Sequence, residues 1–257
     1  MAGMTEDEWR ECVYPEKMLA YLGDRASVRK RRLFACACVR RIWPLLDDRR
    51  LRRAVRRAER FADGQAAEEE MQSALRIVSR LREQLEEVER RRPNWMTLAA
   101  RSAAQAVEAV LASQGPILEK PRDLREAPDV MSASRFARVA ARAAEALREE
   151  INGTPSPSRS SRRRRLASLD AVELVREIFG NPFRPVAVDP AWLVWNNNTV
   201  LRMARVIYDD RRLRHLPVLA DALEEAGCDN ADMLAHCRAA VEHVRGCWAI
   251  DALLGMK

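Results

Sequence analysis

Five side chains able to coordinate a metal ion lie within twenty residues near the end of the chain: Cys228, His236, Cys237, His243 and Cys247. Zn²⁺ in proteins takes about four tetrahedral nitrogen or sulfur ligands, and these residues supply such atoms. If the last of them lie on a helix, His243 and Cys247 share one face at positions i and i+4. His236 and Cys237 are adjacent and point about 100° apart on a helix, so only one of them can readily serve. The predicted zinc ligands are Cys228, Cys237, His243 and Cys247.

A helical core without metal explains the same cysteines. The segment contains no CxxC or HxxxH pair that would pre-form half of a zinc site. Free cysteine is also among the most buried residue types and packs as a small apolar side chain. Zinc and a core of buried thiols therefore both stay open, and no other cofactor is predicted.

The sequence carries none of the common catalytic signatures. It has no phosphate-cradling glycine loop, no HExxH pair, no nucleophile elbow and no dinucleotide fingerprint. The carboxylate pairs Asp209-Asp210 and Glu224-Glu225 are typical of exposed helix ends. We therefore expect a protein that is not an enzyme.

Positive charge is concentrated in two segments of the chain, although the whole has a net charge of only +7. Residues 29–60 hold thirteen Lys or Arg against three acids, and residues 151–165 hold five Arg and no acid. Guanidinium clusters of this kind neutralise phosphates without reading sequence, so nucleic acid is a possible partner. The alternative is a solvated face that pairs with the acidic helix near residues 68–89. The predicted anion-binding residues are Arg49, Arg53, Arg56, Arg57, Arg60, Arg159, Arg162, Arg163, Arg164 and Arg165.

A turn-rich loop and two tryptophans follow in the C-terminal third. Trp and Arg dominate the energetic centres of protein interfaces, so this region is a candidate docking surface for a protein partner. The alternative is that both tryptophans anchor a small core. The predicted partner-binding residues are Asn181, Phe183, Arg184, Trp192 and Trp195.

Composition and periodicity predict an all-α fold. Aromatic residues make up only 5% of the chain and glycines number nine, which suits closely packed helices rich in Ala and Leu. A long helix over residues 66–91 carries a heptad seam of under three heptads. It therefore favours an intramolecular hairpin with a helix over 96–113 rather than a free coiled coil.

The elements around the candidate sites have clear start and stop signals. Ser27 and Asp47 or Asp48 are expected to cap two arginine-rich helices, and Asn230 caps a helix over 231–238. Further helices are predicted over 14–22, 132–151, 168–179, 190–208 with a break at Asn196–Asn198, 217–226 before Gly227, and 244–254.

The domain boundary is predicted where the chain reads NGTPSPSRSSRRRR, because such a composition cannot bury a core. The predicted organisation is an N-terminal helical bundle over residues 1–150, a basic Ser/Arg linker over 151–167 and a smaller C-terminal helical domain over 168–257.

A cytoplasmic protein is expected. The first residues lack the basic and apolar regions of a secretory signal, and no apolar stretch approaches the roughly 18 residues that cross a bilayer. The six cysteines lack the dense spacing of a secreted disulfide scaffold. We therefore expect reduced thiols and no membrane partner.

Several motifs resemble a group of uncharacterised proteins abundant in planctomycete bacteria. They are MTEDEW, RKRRLFACACVRRIW and RRAVRRAERFADG near the N-terminus, and IFGNPFRPV, LADALEEAGC, LAHCR and HVRGCW near the C-terminus. The resemblance covers about the first 65 and the last 85 residues. It implies a bacterial, cytosolic setting and brings no activity, cofactor or catalytic residue with it.

Three functions follow from these observations. The leading one is a non-catalytic binding or adaptor module that engages a protein partner, with additional anion contacts through arginine. The second is a nucleic-acid-associated accessory protein, and the third is a structural zinc-binding domain.

Overall fold

The computed structural model describes residues 4–112 and 171–257, and every regular element in these two ranges is helical. The predicted all-α fold is thereby confirmed. The helices are α1 (Glu6–Glu11), α2 (Pro15–Leu22), α3 (Val28–Arg40), α4 (Arg49–Ala62), α5 (Glu68–Arg91), α6 (Trp95–Ala112), α7 (171–179), α8 (Pro190–Asp209), α9 (Leu216–Glu225), α10 (Ala231–Arg238) and α11 (Trp248–Leu254).

Four helices begin at a side-chain cap, and three of these caps are among those predicted. The side chains of Ser27, Asp48, Asp189 and Asn230 each accept a hydrogen bond from a backbone N–H in the first turn of α3, α4, α8 and α10. Each bond satisfies one of the donors that a helix start leaves without a partner. Within residues 4–112 and 171–257, no helix combines the length and apolarity of a membrane span.

The break in α8 is also confirmed. Asn196, Asn197 and Asn198 take left-handed backbone angles with φ of 44°, 57° and 62°. Asparagine tolerates this region better than most residues, because its short polar side chain can bond locally. The chain therefore turns here before helical geometry resumes towards Asp209.

The last helix begins later than predicted. A helix over 244–254 was expected, but α11 starts at Trp248, and residues 245–246 form a turn. Gly246 has φ of 92°, which interrupts right-handed helical geometry at that point. The condition under which His243 and Cys247 would share one helix face is therefore not met.

Two hydrophobic cores are each built mainly from consecutive helices. In the first, α5 and α6 form the predicted hairpin and pack on α3 and α4. Along the α5 seam, Met71, Val78 and Leu81 are buried, whereas Val88 at its far end is 47% exposed. The second core is formed by α8 to α11.

A third core combines both ends of the described chain. Trp9, Met18 and Phe34 from the N-terminal helices pack with Val175 and Ile178 of α7. The proposed linker over 151–167 and the helix over 132–151 lie outside the described residues, so the domain division stays a prediction. The described parts on either side of it nevertheless share this core.

A buried charged network also joins the two parts. Asp63, at the end of α4, accepts hydrogen bonds from Arg29 Nε at 2.8 Å, Tyr208 Oη at 2.7 Å and Arg245 Nε at 2.7 Å. Arg29 continues to Asp251 of α11, with bonds of 2.7 and 3.0 Å. Both carboxylate side chains are only 1% exposed. The network therefore ties the start of α3 and the end of α4 to α8, to α11 and to the turn that precedes α11.

Replacing Asp63 with Asn keeps the side-chain shape but removes the charge that balances Arg29 and Arg245. We expect Asp63→Asn to lower the free energy of unfolding by about 3–5 kcal/mol, because it leaves the buried Arg245 without its carboxylate partner, while Arg29 keeps Asp251. Urea denaturation measures the change. The control is Asp221→Asn, since Asp221 is 67% exposed and bonds Arg238 at the surface; it should cause no measurable change. Equal losses in the two variants would contradict a special role for the network.

Candidate metal centre

Three separate segments converge on one cluster of metal-ligating side chains. The second half of α7 contributes Glu177, the last turn of α10 contributes His236, and the segment leading into α11 contributes His243 and Cys247. One ligand atom from each of these residues lies within 4.8 Å of all the others.

The distances within the cluster are close to those of a tetrahedral site. His243 Nδ1 lies 3.1 Å from Glu177 Oε1, and His236 Nε2 lies 3.1 Å from Cys247 Sγ. His236 Nε2 is also 3.5 Å from Glu177 Oε2. Zinc bonds of about 2.0–2.3 Å place neighbouring ligand atoms about 3.3–3.8 Å apart. An ion at the centre of the cluster would therefore require shifts of less than about 1 Å.

The cluster is largely shielded from solvent. The side chains of His243, Glu177 and His236 are 3%, 8% and 15% exposed, and Cys247 is fully buried. The ring of Trp248 packs against that of His236, with the ring centroids 4.8 Å apart. His243 Nε2 is buried and has no hydrogen-bond partner among the described residues.

Burial sets the protonation of two of the ligands. Burial lowers the pKa of His236 to about 4. The Glu177 carboxylate acts to raise this pKa, and the neighbouring His243 acts to lower it further. The imidazole is therefore neutral near pH 7, the form that binds metal. Burial raises the pKa of the Cys247 thiol well above its usual value. Without a metal, burial therefore favours the protonated form of this thiol.

Of the four predicted ligands, the structure brings His243 and Cys247 together. Cys228 and Cys237 lie instead in the second core, 4% and 0% exposed, and neither belongs to the cluster. His236 takes the place given to Cys237, because Met233 and Cys237 at i and i+4 form the core face of α10. That i, i+4 pair was the signal in the sequence that His236 faces elsewhere.

Glu177 was missed because it lies 59 residues before its nearest ligand partner in the chain. A signal was present nevertheless. Glu177 falls between Leu174 and Ile178 on the apolar side of α7, and a carboxylate there is seldom buried without a partner.

The loop residues predicted to bind a partner contact the N-terminal helices of the same chain. Asn181 Nδ2 donates to Glu6 Oε1 at 2.9 Å, and Arg184 Nε lies 2.7 Å from the same oxygen. Phe183 stacks on Tyr21 with ring centroids 5.3 Å apart. These contacts hold the loop against α1 and α2.

The two tryptophans of α8 belong to the second core. Trp192 is 6% exposed, and Trp195 is partly buried against the same cluster. Docking of a protein partner through these tryptophans and the preceding loop stays a prediction.

The arginines predicted to bind anions fall into three groups. Arg57 Nε lies 3.4 Å from Glu70 Oε2, and Arg60 donates to the backbone oxygen of Gln65 at 2.7 Å. Among the described residues, no carboxylate partner is found for Arg49, Arg53 and Arg56. Outside the described residues lie Arg159, Arg162, Arg163, Arg164 and Arg165.

Comparison of the chain with protein-family models, with curated proteins and with solved structures finds no match. The chemistry of the cluster is therefore inferred from its own residues.

The turn between His243 and Cys247 depends on a glycine. A Cβ atom on Gly246 would lie 2.9 Å from Leu33 Cδ1, and φ there is 92°. Gly227 has a similar φ of 87° but open space around it. Both positions thus require a positive φ, but only Gly246 lies close to a neighbouring side chain.

We expect Gly227→Ala to lower the free energy of unfolding by about 1–2 kcal/mol through backbone strain alone. Gly246→Ala should lower it by about 1–3 kcal/mol more, because Leu33 must move as well. Chemical denaturation of both variants measures the difference. Equal destabilisation by the two substitutions would contradict tight packing of this turn on α3.

Proposed function

We propose that the protein is a non-catalytic zinc-binding protein in which one ion is held by Glu177, His236, His243 and Cys247. The observation that carries the proposal is the convergence of four ligand atoms, from three chain segments, within 4.8 Å. Those segments are α7, the end of α10 and the turn before α11.

The donor set favours zinc over other common cations. A thiolate and two imidazoles suit zinc and other borderline transition metals, whereas Mg²⁺ and Ca²⁺ prefer oxygen ligands. Four protein ligands in a closed pocket are typical of structural zinc, since catalytic sites keep one position for water or substrate.

A bound ion also explains why these groups are buried together. A carboxylate, two imidazoles and a thiol are difficult to desolvate in one place, and a divalent cation balances the charge of the carboxylate and of the thiolate it creates. Because Glu177 belongs to α7, which contributes to the third core, the ion would fasten α10 and α11 to the helices packed there. The free energy of metal binding then contributes to the stability of the fold.

An ion can reach the cluster from the surface. Two clefts, of about 340 and 390 Å³, are both lined by His236 and Arg176. The second is also lined by Glu177. His236 therefore lies at the edge of the cluster, where an ion would enter.

Protein purified without a histidine tag should contain about one zinc per chain, measured by inductively coupled plasma mass spectrometry. Cys247→Ser and His236→Gln should remove most of the metal, because each deletes a ligand. Cys237→Ala and Cys228→Ala are the matched controls: they replace buried thiols outside the cluster and should retain the metal.

Chelation should lower stability reversibly. At a free zinc concentration about 100 times Kd, binding stabilises the folded state by about 3 kcal/mol, so the chelator should lower Tm and added zinc should restore it. Metal-free protein whose Tm does not respond to zinc would contradict the proposal. Loss of metal in Cys237→Ala but not in His236→Gln would assign the site to the cysteines instead.

A further inference from the structure

Four arginines on one face of α4 lack an acidic partner among the described residues. They occupy positions i, i+3, i+4 and i+7 of the helix, so their side chains are neighbours. Other arginines of α4 are paired: Arg50 bonds Asp48 at 2.7 Å, and Arg57 lies near Glu70. We define the arginine face as Arg49, Arg52, Arg53 and Arg56.

Three guanidinium groups lie close to the ring of Trp43, which is next to this face. The guanidinium carbons of Arg40, Arg52 and Arg56 lie 4.1, 5.9 and 5.5 Å from the centre of its ring. Among the described residues, Arg40 has one carboxylate partner, Glu59. Arg52 Nε is buried and finds no hydrogen-bond partner in the described part of the chain.

Repulsion between these charges weakly destabilises the helix, and a bound anion would relieve it. Like charges three and four positions apart on a helix repel each other, and none of the four arginines forms an ion pair with a described carboxylate. Glu59 does not relieve the repulsion, because it is buried and is shared between Arg40 and Arg211. A ligand with regularly spaced negative charges would remove the penalty at several positions together.

We propose that the arginine face binds the phosphate backbone of double-stranded nucleic acid. Each guanidinium fork matches a phosphate, and the four side chains extend over about 10 Å of the helix axis. Arg49, Arg53 and Arg56 are exposed. Backbone contacts of this kind are independent of base sequence. This function is separate from the metal centre and does not rest on it.

The composition of the face favours duplex nucleic acid over a protein or a single strand. Protein interfaces usually have an apolar centre, but the exposed large hydrophobic residues of the described chain, such as Val194 and Val218, lie outside α4. Single strands are bound by stacking on free aromatic rings. The ring of Trp43 is instead approached by three guanidinium groups.

Fluorescence anisotropy of the full-length protein with a labelled 20-base-pair duplex tests this assignment at salt concentrations of about 50–200 mM. The wild type should show a linear decrease of log K with log salt. Arg53→Gln/Arg56→Gln should make the slope shallower by about 2 and weaken binding at least about tenfold at the lowest salt.

The matched control is Arg90→Gln/Arg91→Gln, which removes the same charge from α5, where both residues pair with Glu87. It should leave slope and affinity close to those of the wild type. The basic segment at residues 159–165 is present in the wild type and in both double variants. A difference in affinity between the two variants therefore reports on the arginines of α4.

Three results would overturn the proposal. One is an absence of duplex binding by the wild type at about 50 mM salt, and another is an equal loss of affinity in both double variants, which would indicate net charge alone. The third is displacement of the labelled duplex by polyglutamate more effectively than by unlabelled duplex, which would assign the face to an acidic protein.

Discussion

The arrangement of the helices depends on the hydrogen bonds and ion pairs that the buried Asp63 carboxylate makes. It accepts bonds from Arg29, Tyr208 and Arg245, residues that lie far apart in the chain. Such a network stabilises a fold only when it is complete, because each charge left alone in the interior is costly. Arg245 lies between His243 and Cys247 in the sequence. The bond that joins the two halves of the chain thus also fixes the turn that carries two of the four metal ligands.

The metal centre and the charged network act on neighbouring parts of the same junction. The network joins α3 and α4 to α8 and α11, whereas the cluster joins α7 to α10 and to the turn at residues 243–247. Gly246, in the turn shared by the network and the cluster, packs closely on Leu33 of α3. Two sets of polar contacts therefore orient helices whose apolar surfaces alone would permit several arrangements, since hydrophobic burial has little directionality.

Local features could be predicted from the sequence and long-range ones could not. Caps such as Ser27 and Asn230 depend on a few consecutive residues, so the starts of these two helices were confirmed. The ligand set depends on where α7 packs, and no local pattern brings Glu177 to His236. On α4 the sequence predicted three arginines of the face, whereas Arg52 needed the fold, because its neighbours include Trp43 from before the helix.

The coordination of zinc in the loaded protein tests the central claim most directly. X-ray absorption spectroscopy at the zinc edge should show one sulfur neighbour at about 2.3 Å and three nitrogen or oxygen neighbours at about 2.0–2.1 Å. That shell corresponds to Cys247 with Glu177, His236 and His243. A shell with two or three sulfur neighbours, or one made of oxygen alone, would contradict the assignment.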